Sequence, residues 1–313
     1  MLSVQHPAKT AMNARRRPNF FIVGAPRSGT TAMASYLGRH PGIFMPSMPD
    51  IYYFGSDLPW FVERRMTEEH YLSYFKDARE DQSIGDAARW YLYSKCAAAE
   101  LRDFQPDARI IIMLRNPVDM MYSLHGHRLL LGAEDIADFG AALEAEPRRR
   151  ATGDVPHHLG MRESVCYREV TRFAPQVERY LAAFGEERVH VIIFDDFVRD
   201  TAEAYRATLR FLGRDEGFQP EFPVVNAYRQ VRSLSLTRRL IQPPACLLKL
   251  ATGILGRSIQ HTIFLRIMSM LAKQSHRPPM EPALRRRLTE EMRPDVERLG
   301  RIIGRDLSSW TWG

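Results

Sequence analysis

The 313-residue chain predicts an α/β fold: a P-loop-like, doubly wound parallel sheet flanked by helices, with extra helices at the C-terminal end. Three observations predict it. Short apolar runs without alternation recur at 20–24 (FFIVG), 109–114 (RIIIML) and 189–194 (VHVIIF), as in strands covered on both faces. A helical pattern follows each run, and repeated strand–helix–strand units build a parallel sheet. The first run ends in the turn GAPRSGTT (24–31), whose two glycines have the spacing of a phosphate-binding loop.

The elements follow in order. Residues 1–18 read as a basic disordered tail, and 19–313 as a single domain. After the first strand, Thr30 and Thr31 begin a helix. The second strand leads through RNP into the helix VDMMYSLH, with Pro117 in its first turn. Residues 132–160 are rich in glycine and charge and read as a surface excursion with one short helix. Residues 161–185 read as one long helix. After the third strand, Asp200–Thr201 can cap the helix AEAYRATLRFL, and Gly213 sits at its C-terminal cap. Residues 282–304 form a charged terminal helix.

Composition bounds the chemistry. Hydrophobic residues make up 45% of the chain, which supports a sizeable core and excludes general disorder. The formal net charge of +7 favours anionic partners. Cys96, Cys166 and Cys246 are few and far apart, which fits a reducing compartment and neither a disulfide framework nor a zinc site. The basic N-terminus lacks the apolar core of a secretory signal. No apolar run reaches the roughly 18 residues of a membrane span. The expected location is the cytoplasm.

The loop carries the sharpest chemistry. Free N–H groups at the helix start, with the helix dipole, make an anion site. Gly29 permits a tight turn. Arg27 adds a fixed charge, and Ser28, Thr30 and Thr31 add hydroxyl donors. An ordinary strand–helix turn would need the glycines but not this cluster. In a triphosphate-binding loop a lysine follows the second glycine; here that position is Thr30. Arg115 ends the second strand where a carboxylate would help Mg²⁺, and a cation there favours a bare phosphate. Ser123 follows Arg115 by eight positions. The chain therefore offers two phosphate sites on neighbouring strand ends, neither of which needs a metal.

A nucleotide with two separate phosphate groups and no Mg²⁺ requirement is 3′-phosphoadenosine 5′-phosphosulfate. APRSGTT resembles the 5′-phosphosulfate loop of the sulfotransferase family, and LRNPVDMMYS resembles its 3′-phosphate motif, R-x-x-x-x-x-x-x-S. RPPMEPALRRRL and VERLGRIIGRDLSSW are similar to the C-terminal helices of bacterial members and of the heparan sulfate 3-O-sulfotransferase group. The resemblance runs from about residue 19 to 312. It implies 3′-phosphoadenosine 5′-phosphosulfate as co-substrate, no metal, and a carbohydrate, lipid-linked or other small-molecule acceptor, with no nucleic acid. By resemblance, Arg27, Ser28, Gly29, Thr30, Thr31, Arg115 and Ser123 hold the nucleotide. Lys273 falls where the family has a lysine–glycine–arginine turn over it. Arg27 stands where the family usually has lysine; it keeps the charge but is a poorer proton donor to the leaving oxygen.

MPSMPDIYYFGSDL resembles the family's K-E-x-H-F-F segment, which puts Asp50 at the position of the glutamate base and Pro49 at the lysine. On the residues alone, the alternative for Asp50 is a solvated turn residue beside Pro49. Tyr52, Tyr53 and Phe54 line the acceptor site or belong to the core. GDAARWYLYS resembles the substrate segment E-K-T-P: Asp86 keeps the acid, Ala87 replaces the lysine, and Arg89 takes over part of the lysine's role or is a surface charge. His125 and His127 fit a structural role beside the phosphates better than that of a base. Asp195–Asp196 and Cys166 read as structural.

Two other readings stay open on the residues. One is a P-loop small-molecule kinase, although its lysine and an evident Mg²⁺ carboxylate are missing. The other is a catalytically inactive nucleotide-binding protein, which the departures at Pro49, Asp50 and Ala87 admit. Residues 233–275 form a variable basic and apolar helical insert. From Phe222 to Met280 there are nine Lys or Arg and no Asp or Glu. Either its apolar stripe packs on the sheet, or it forms a basic rim over the acceptor site in peripheral contact with the inner membrane surface.

Overall fold

The computed structural model describes residues 16–48, 50–58, 66–153, 155, 161–223, 229–231, 272–274 and 277–312. Strands β1 (Phe20–Gly24), β2 (Ile43–Phe44), β3 (Ser83–Ala87), β4 (Arg109–Leu114) and β5 (Val189–Ile193) form one sheet. Its order is β2-β3-β1-β4-β5 and every pairing is parallel. The expected α/β fold is present. The chain runs from β1 outward to one edge and later crosses to the other side, so β1 lies at the reversal point. Ligands of such sheets bind beyond the carboxyl ends of the strands at that point.

All five residues of β1 are buried, which explains the unbroken apolar run. Phe20 and Ile22 pack with Met33 and Leu37 of helix α1 (Thr30–Leu37) on one face. Phe21 and Val23 join the larger core on the other face. The strand β3, SIGDA, was not legible as one, because Gly and Asp are depleted in strands. Gly85 is there for space: a Cβ would come 2.2 Å from Phe20 Cζ and 2.4 Å from Met45 Sδ.

Helix α2 (Glu68–Ser73) precedes β3, and α3 (Ala97–Phe104) precedes β4. Helix α4 (Pro117–Leu130) starts as expected. Asn116 Oδ1 accepts from the Val118 and Asp119 amides at 3.0 and 3.3 Å, and Pro117 occupies the first position. The 132–160 region holds two short helices, not one: α5 (Phe139–Glu144) and α6 (Glu146–Thr152). Nor is it wholly superficial. Arg149 makes a bidentate pair with Glu134 at 2.6 and 2.7 Å, both fully buried, and the Tyr167 hydroxyl donates to the same carboxylate at 2.6 Å. Forked, charge-assisted geometry of this kind tolerates burial.

The long helix expected over 161–185 is broken into a 3-10 turn (Arg162–Val165), α7 (Tyr167–Val170) and α8 (Phe173–Phe184). The cause is tertiary. Asp295 Oδ2 accepts from the Phe173 and Ala174 amides at 2.8 and 3.3 Å and starts a new helix there. Helices α9 (Phe194–Arg199) and α10 (Thr201–Leu212) follow β5. As expected, the Asp200 side chain accepts from the Glu203 amide at 2.9 Å, and Gly213 closes α10 at φ 65°.

A short antiparallel ribbon pairs β6 (Arg229–Val231) with β7 (Ala272–Gln274), and β6 lies against α4. The rest of the 233–275 stretch is outside the described residues, as is Cys246. The terminal helix α11 (Pro282–Ile303) packs on α8 through Leu288, Met292, Val296 and Leu299. From the N-terminal stretch, Arg16 pairs with Glu80 and Arg17 with Glu68. No helix among the described residues is long and apolar enough to cross a membrane.

Candidate active site

Strand β1 delivers the loop to the carboxyl edge of the sheet. The Ala25 amide donates to Met113 O at 2.7 Å, which ties the loop to β4. Gly29 precedes α1 at φ 90°, a conformation cheap only for glycine. The first-turn amides of a helix have no intrahelical acceptor, so the start of α1 presents free donors. Ser28 and Thr30 are buried and Thr31 is exposed.

The two stretches expected to hold phosphate meet in space. Arg27 Nε donates to Ser123 Oγ at 3.1 Å, across 96 positions of sequence. Arg115 Nη1 donates to the Arg27 carbonyl at 3.4 Å, and its guanidinium lies 4.9 Å from the centre of the Phe194 ring. Burial lowers the Arg115 pKa, which favours an anion as its partner. Lys273 is a residue of β7, opposite Gln230 in the ribbon whose first strand lies against α4.

A second cluster faces the loop. Asp50 is fixed by its amide, which donates to Ala87 O at 3.1 Å, and by the Arg89 amide, which donates to Asp50 Oδ1 at 3.3 Å. The Arg89 guanidinium pairs with Asp50 Oδ2. Burial drives the Tyr52 pKa far up; Asp50 adds to this and Arg89 opposes it, so the three groups share one environment. Burial works against the Arg89 charge, but Tyr52 and Asp50 outweigh it and the pKa rises.

Backbone strain marks the same residues. Among the described residues, Arg27, Asp50 and Tyr52 are the non-glycine positions with positive φ, at 61°, 56° and 55°. The left-handed region costs an L-residue about 1–2 kcal/mol. Such strain persists where surrounding structure holds it, and it clusters at functional sites.

Asp86 lies elsewhere than expected. It is fully buried, and its Oδ2 accepts from Tyr71 at 2.9 Å and Tyr91 at 3.3 Å. Burial pushes its pKa up to about 6. The Tyr91 hydroxyl in turn accepts from the Tyr53 amide at 2.9 Å. Asp86 thus anchors the segment after Asp50 from behind and does not line the cleft. Tyr53 stacks on Tyr71, and Phe54 is core.

Arg128 escaped the sequence reading, and His127, read there as structural beside the phosphates, lies next to it. Arg128 is buried 5.3 Å from the Trp90 ring centre, with its pKa lowered to about 10 by burial and by Arg89. Burial, then Arg27, Arg128 and Arg89, hold His127 well below its usual value. His127 Nδ1 and Arg128 Nε are buried with no hydrogen-bond partner among the described residues. The signal was helical spacing: His127 follows Ser123 by four residues, one turn along α4. His125 is structural, with Nε2 on Ile136 O at 2.9 Å, and burial lowers its pKa to about 4. Asp195 accepts from Trp310 Nε1 at 2.8 Å and Asp196 pairs with Arg305, as befits a structural turn. Cys166 is buried, with its thiol pushed up to about 12 by burial.

Between the start of α1 and the Asp50–Arg89 pair lies a cleft of about 420 Å³. Among the described residues, no group of three or more His, Cys, Asp or Glu is placed to hold a metal ion.

A phosphate loop that lacks its lysine, linked to a second cationic motif and facing a carboxylate across a cleft, defines a group-transfer enzyme. Comparison with known proteins identifies the group. The model of the Sulfotransferase family matches residues 18–219, and the chain belongs to that family. Its family and fold are those of sulfotransferases, which speaks against the kinase reading. A solved sulfotransferase from Alicyclobacillus acidocaldarius is similar over 95% of this chain and 100% of that one, at 29% identity and a TM-score of 0.71. The membrane-associated sulfotransferase kil1 of Dictyostelium discoideum is 31% identical over 110 residues, which is 34% of this chain and 22% of kil1. The bifunctional heparan sulfate N-deacetylase/N-sulfotransferase 1 of Caenorhabditis briggsae is 23% identical over 242 residues, 75% of this chain and 26% of that protein. The chain therefore spans about a quarter of the length of these two relatives.

Proposed function

We propose that the protein transfers a sulfuryl group from 3′-phosphoadenosine 5′-phosphosulfate to a hydroxyl of a carbohydrate, glycolipid or other small acceptor. The observation that carries this reading is the contact of Arg27 with Ser123, closed by Arg115 on the Arg27 carbonyl. It joins a 5′-phosphate cradle to a 3′-phosphate cradle. The residues fit such a nucleotide: Arg27, Arg89, Arg115 and Arg128 gather there, with Asp50 paired to Arg89 and Asp119 and Asp195 acting on Arg115. The orphan nitrogens of His127 and Arg128 point the same way. Buried donors without partners are costly unless a ligand satisfies them.

When bound, the nucleotide supplies an activated sulfuryl group. Arg27 and the first amides of α1 oppose the charge that develops on the sulfuryl oxygens and the leaving phosphate. Arg115 and Ser123 hold the 3′-phosphate, and Lys273 covers the nucleotide in this reading. Asp50 takes the acceptor proton. Arg89 aims the Asp50 carboxylate through two contacts. His127, its pKa depressed, stays neutral at physiological pH.

Adenosine 3′,5′-bisphosphate and ATP with Mg²⁺, each titrated with and without EDTA, test the nucleotide. The expected result is metal-independent binding of the bisphosphate and weaker binding of ATP. For location we propose peripheral contact of the basic 233–275 stretch with anionic membrane surface, a reading supported by its cation excess. Co-sedimentation with anionic but not neutral vesicles at low salt is expected; protein left in the supernatant with both would contradict it.

A further inference from the structure

Resting on the sulfotransfer reading, we infer that the acceptor is a neutral, largely apolar alcohol of small-molecule size. It would sit in the cleft between α1 and residues 45–48 and 50. The cleft runs from Thr30 and Thr31, where the activated group would lie, to Asp50 and Arg89, where the proton would go. Its volume of about 420 Å³ is that of a small-molecule site.

The walls decide the class. Ala34, Gly38, Met45, Pro46, Met48 and Ala87 are six of the cleft's thirteen lining residues, Thr30, Thr31, Ser35 and Ser47 bring neutral hydroxyls, and the lining surface is mainly apolar. Met48 is half-exposed, so its side chain is open to a molecule entering the cleft. Methionine side chains adapt their shape and make favourable contacts with aromatic rings. Gly38 keeps the wall close: a Cβ there would come 3.3 Å from Met45 Cβ.

The charges on the lining are few. Arg39, Asp50 and Arg89 are the charged residues among those that line the cleft. Arg89 is committed to Asp50, and Arg39 Nη1 donates to Glu221 O at 2.8 Å. A polyanionic chain would need a row of free cations, and its carboxylates would be desolvated against methionine and proline. A neutral alcohol meets the apolar wall with its body and Asp50 with its hydroxyl. Transfer then forms one bond from the acceptor oxygen to sulfur and breaks the bond from sulfur to the phosphate oxygen. The hydroxyl proton goes to Asp50, and adenosine 3′,5′-bisphosphate leaves with the electron pair.

The test uses the full chain saturated with adenosine 3′,5′-bisphosphate, itself titrated first. Three probes are then titrated by calorimetry: 2-naphthol, methyl β-D-glucoside, and heparosan as an unsulfated polyanion. The expected order has 2-naphthol tightest by at least tenfold. Ala34→Trp, which fills the cleft, should weaken 2-naphthol at least tenfold and change the bisphosphate affinity less than twofold. Met48→Asp, at a half-exposed position that tolerates charge, should do the same if Ala34→Trp fails to fold. Bisphosphate binding with heparosan or the glucoside preferred, with no 2-naphthol binding, or with 2-naphthol unaffected by the folded variant, overturns this inference alone. Failure of the bisphosphate to bind would instead sink the sulfotransfer reading beneath it.

Discussion

Arg115→Ala separates a nucleotide site from a merely structural arginine. In the structure Arg115 contacts the Arg27 carbonyl and the Phe194 ring, and burial lowers its pKa. Those contacts are modest: a weakly aligned hydrogen bond and a cation–π contact contribute about 1 kcal/mol to folding. A charge-assisted bond to phosphate contributes about 1.5–3 kcal/mol. At about 1.4 kcal/mol per tenfold, affinity for adenosine 3′,5′-bisphosphate should fall roughly 10- to 150-fold, while the folded state survives. Arg115→Lys keeps the charge but loses the fork and should fall between the two. Calorimetric titration reads affinity, and a denaturant melt reads stability. An unchanged affinity in folded Arg115→Ala would refute the assignment of Arg115 to the nucleotide.

Two further outcomes are expected. Asp50→Asn keeps shape and removes the base, so turnover should drop about 10²- to 10⁴-fold with bisphosphate affinity nearly intact; a wild-type rate would move the base elsewhere. The folded pKa of Asp86 is raised to about 6 from an ordinary 3.8, mainly by burial. The native state therefore holds its proton longer than the unfolded chain, and this group lowers stability as pH rises from about 4 to 6. The depressed pKa of His125, about 4, acts in the opposite sense over much of the same window. Denaturant melts of wild type and Asp86→Asn across pH 4–7 should differ by a term that grows with pH, on the order of 3 kcal/mol at full ionisation; parallel curves would show that Asp86 does not titrate there.

The parts of the site written in local sequence were legible. Strand β1, its glycine turn and the Arg115–Ser123 spacing are each contained within ten or so residues, and the structure brings Arg27, Arg115 and Ser123 into contact. The caps at Asn116 and Asp200 were local in the same sense. What failed was set by distant partners. Strand β3 was hidden because Gly85 serves Phe20, and Asp86 answers to two tyrosines. The long helix at 161–185 is cut by Asp295 from the terminal helix. The buried pair of Glu134 and Arg149 looked like surface charge because composition does not reveal pairing. His127 and Arg128 belong to the cationic cluster only because α4 turns them toward Arg27 and Arg89. Helical spacing placed His127 below Ser123, but nothing local reports the burial of either residue.

Sulfuryl transfer at Asp50 can be read out with sulfur-labelled 3′-phosphoadenosine 5′-phosphosulfate. The labelled nucleotide is incubated with the protein and a small-molecule extract of the source cells, and labelled products are separated and counted. Label is expected in at least one extract component with wild-type protein, unaffected by EDTA, and that label should be lost with Asp50→Asn. Label that stays on the nucleotide or appears only as free sulfate with the wild type, or a product formed equally well by Asp50→Asn, would contradict it.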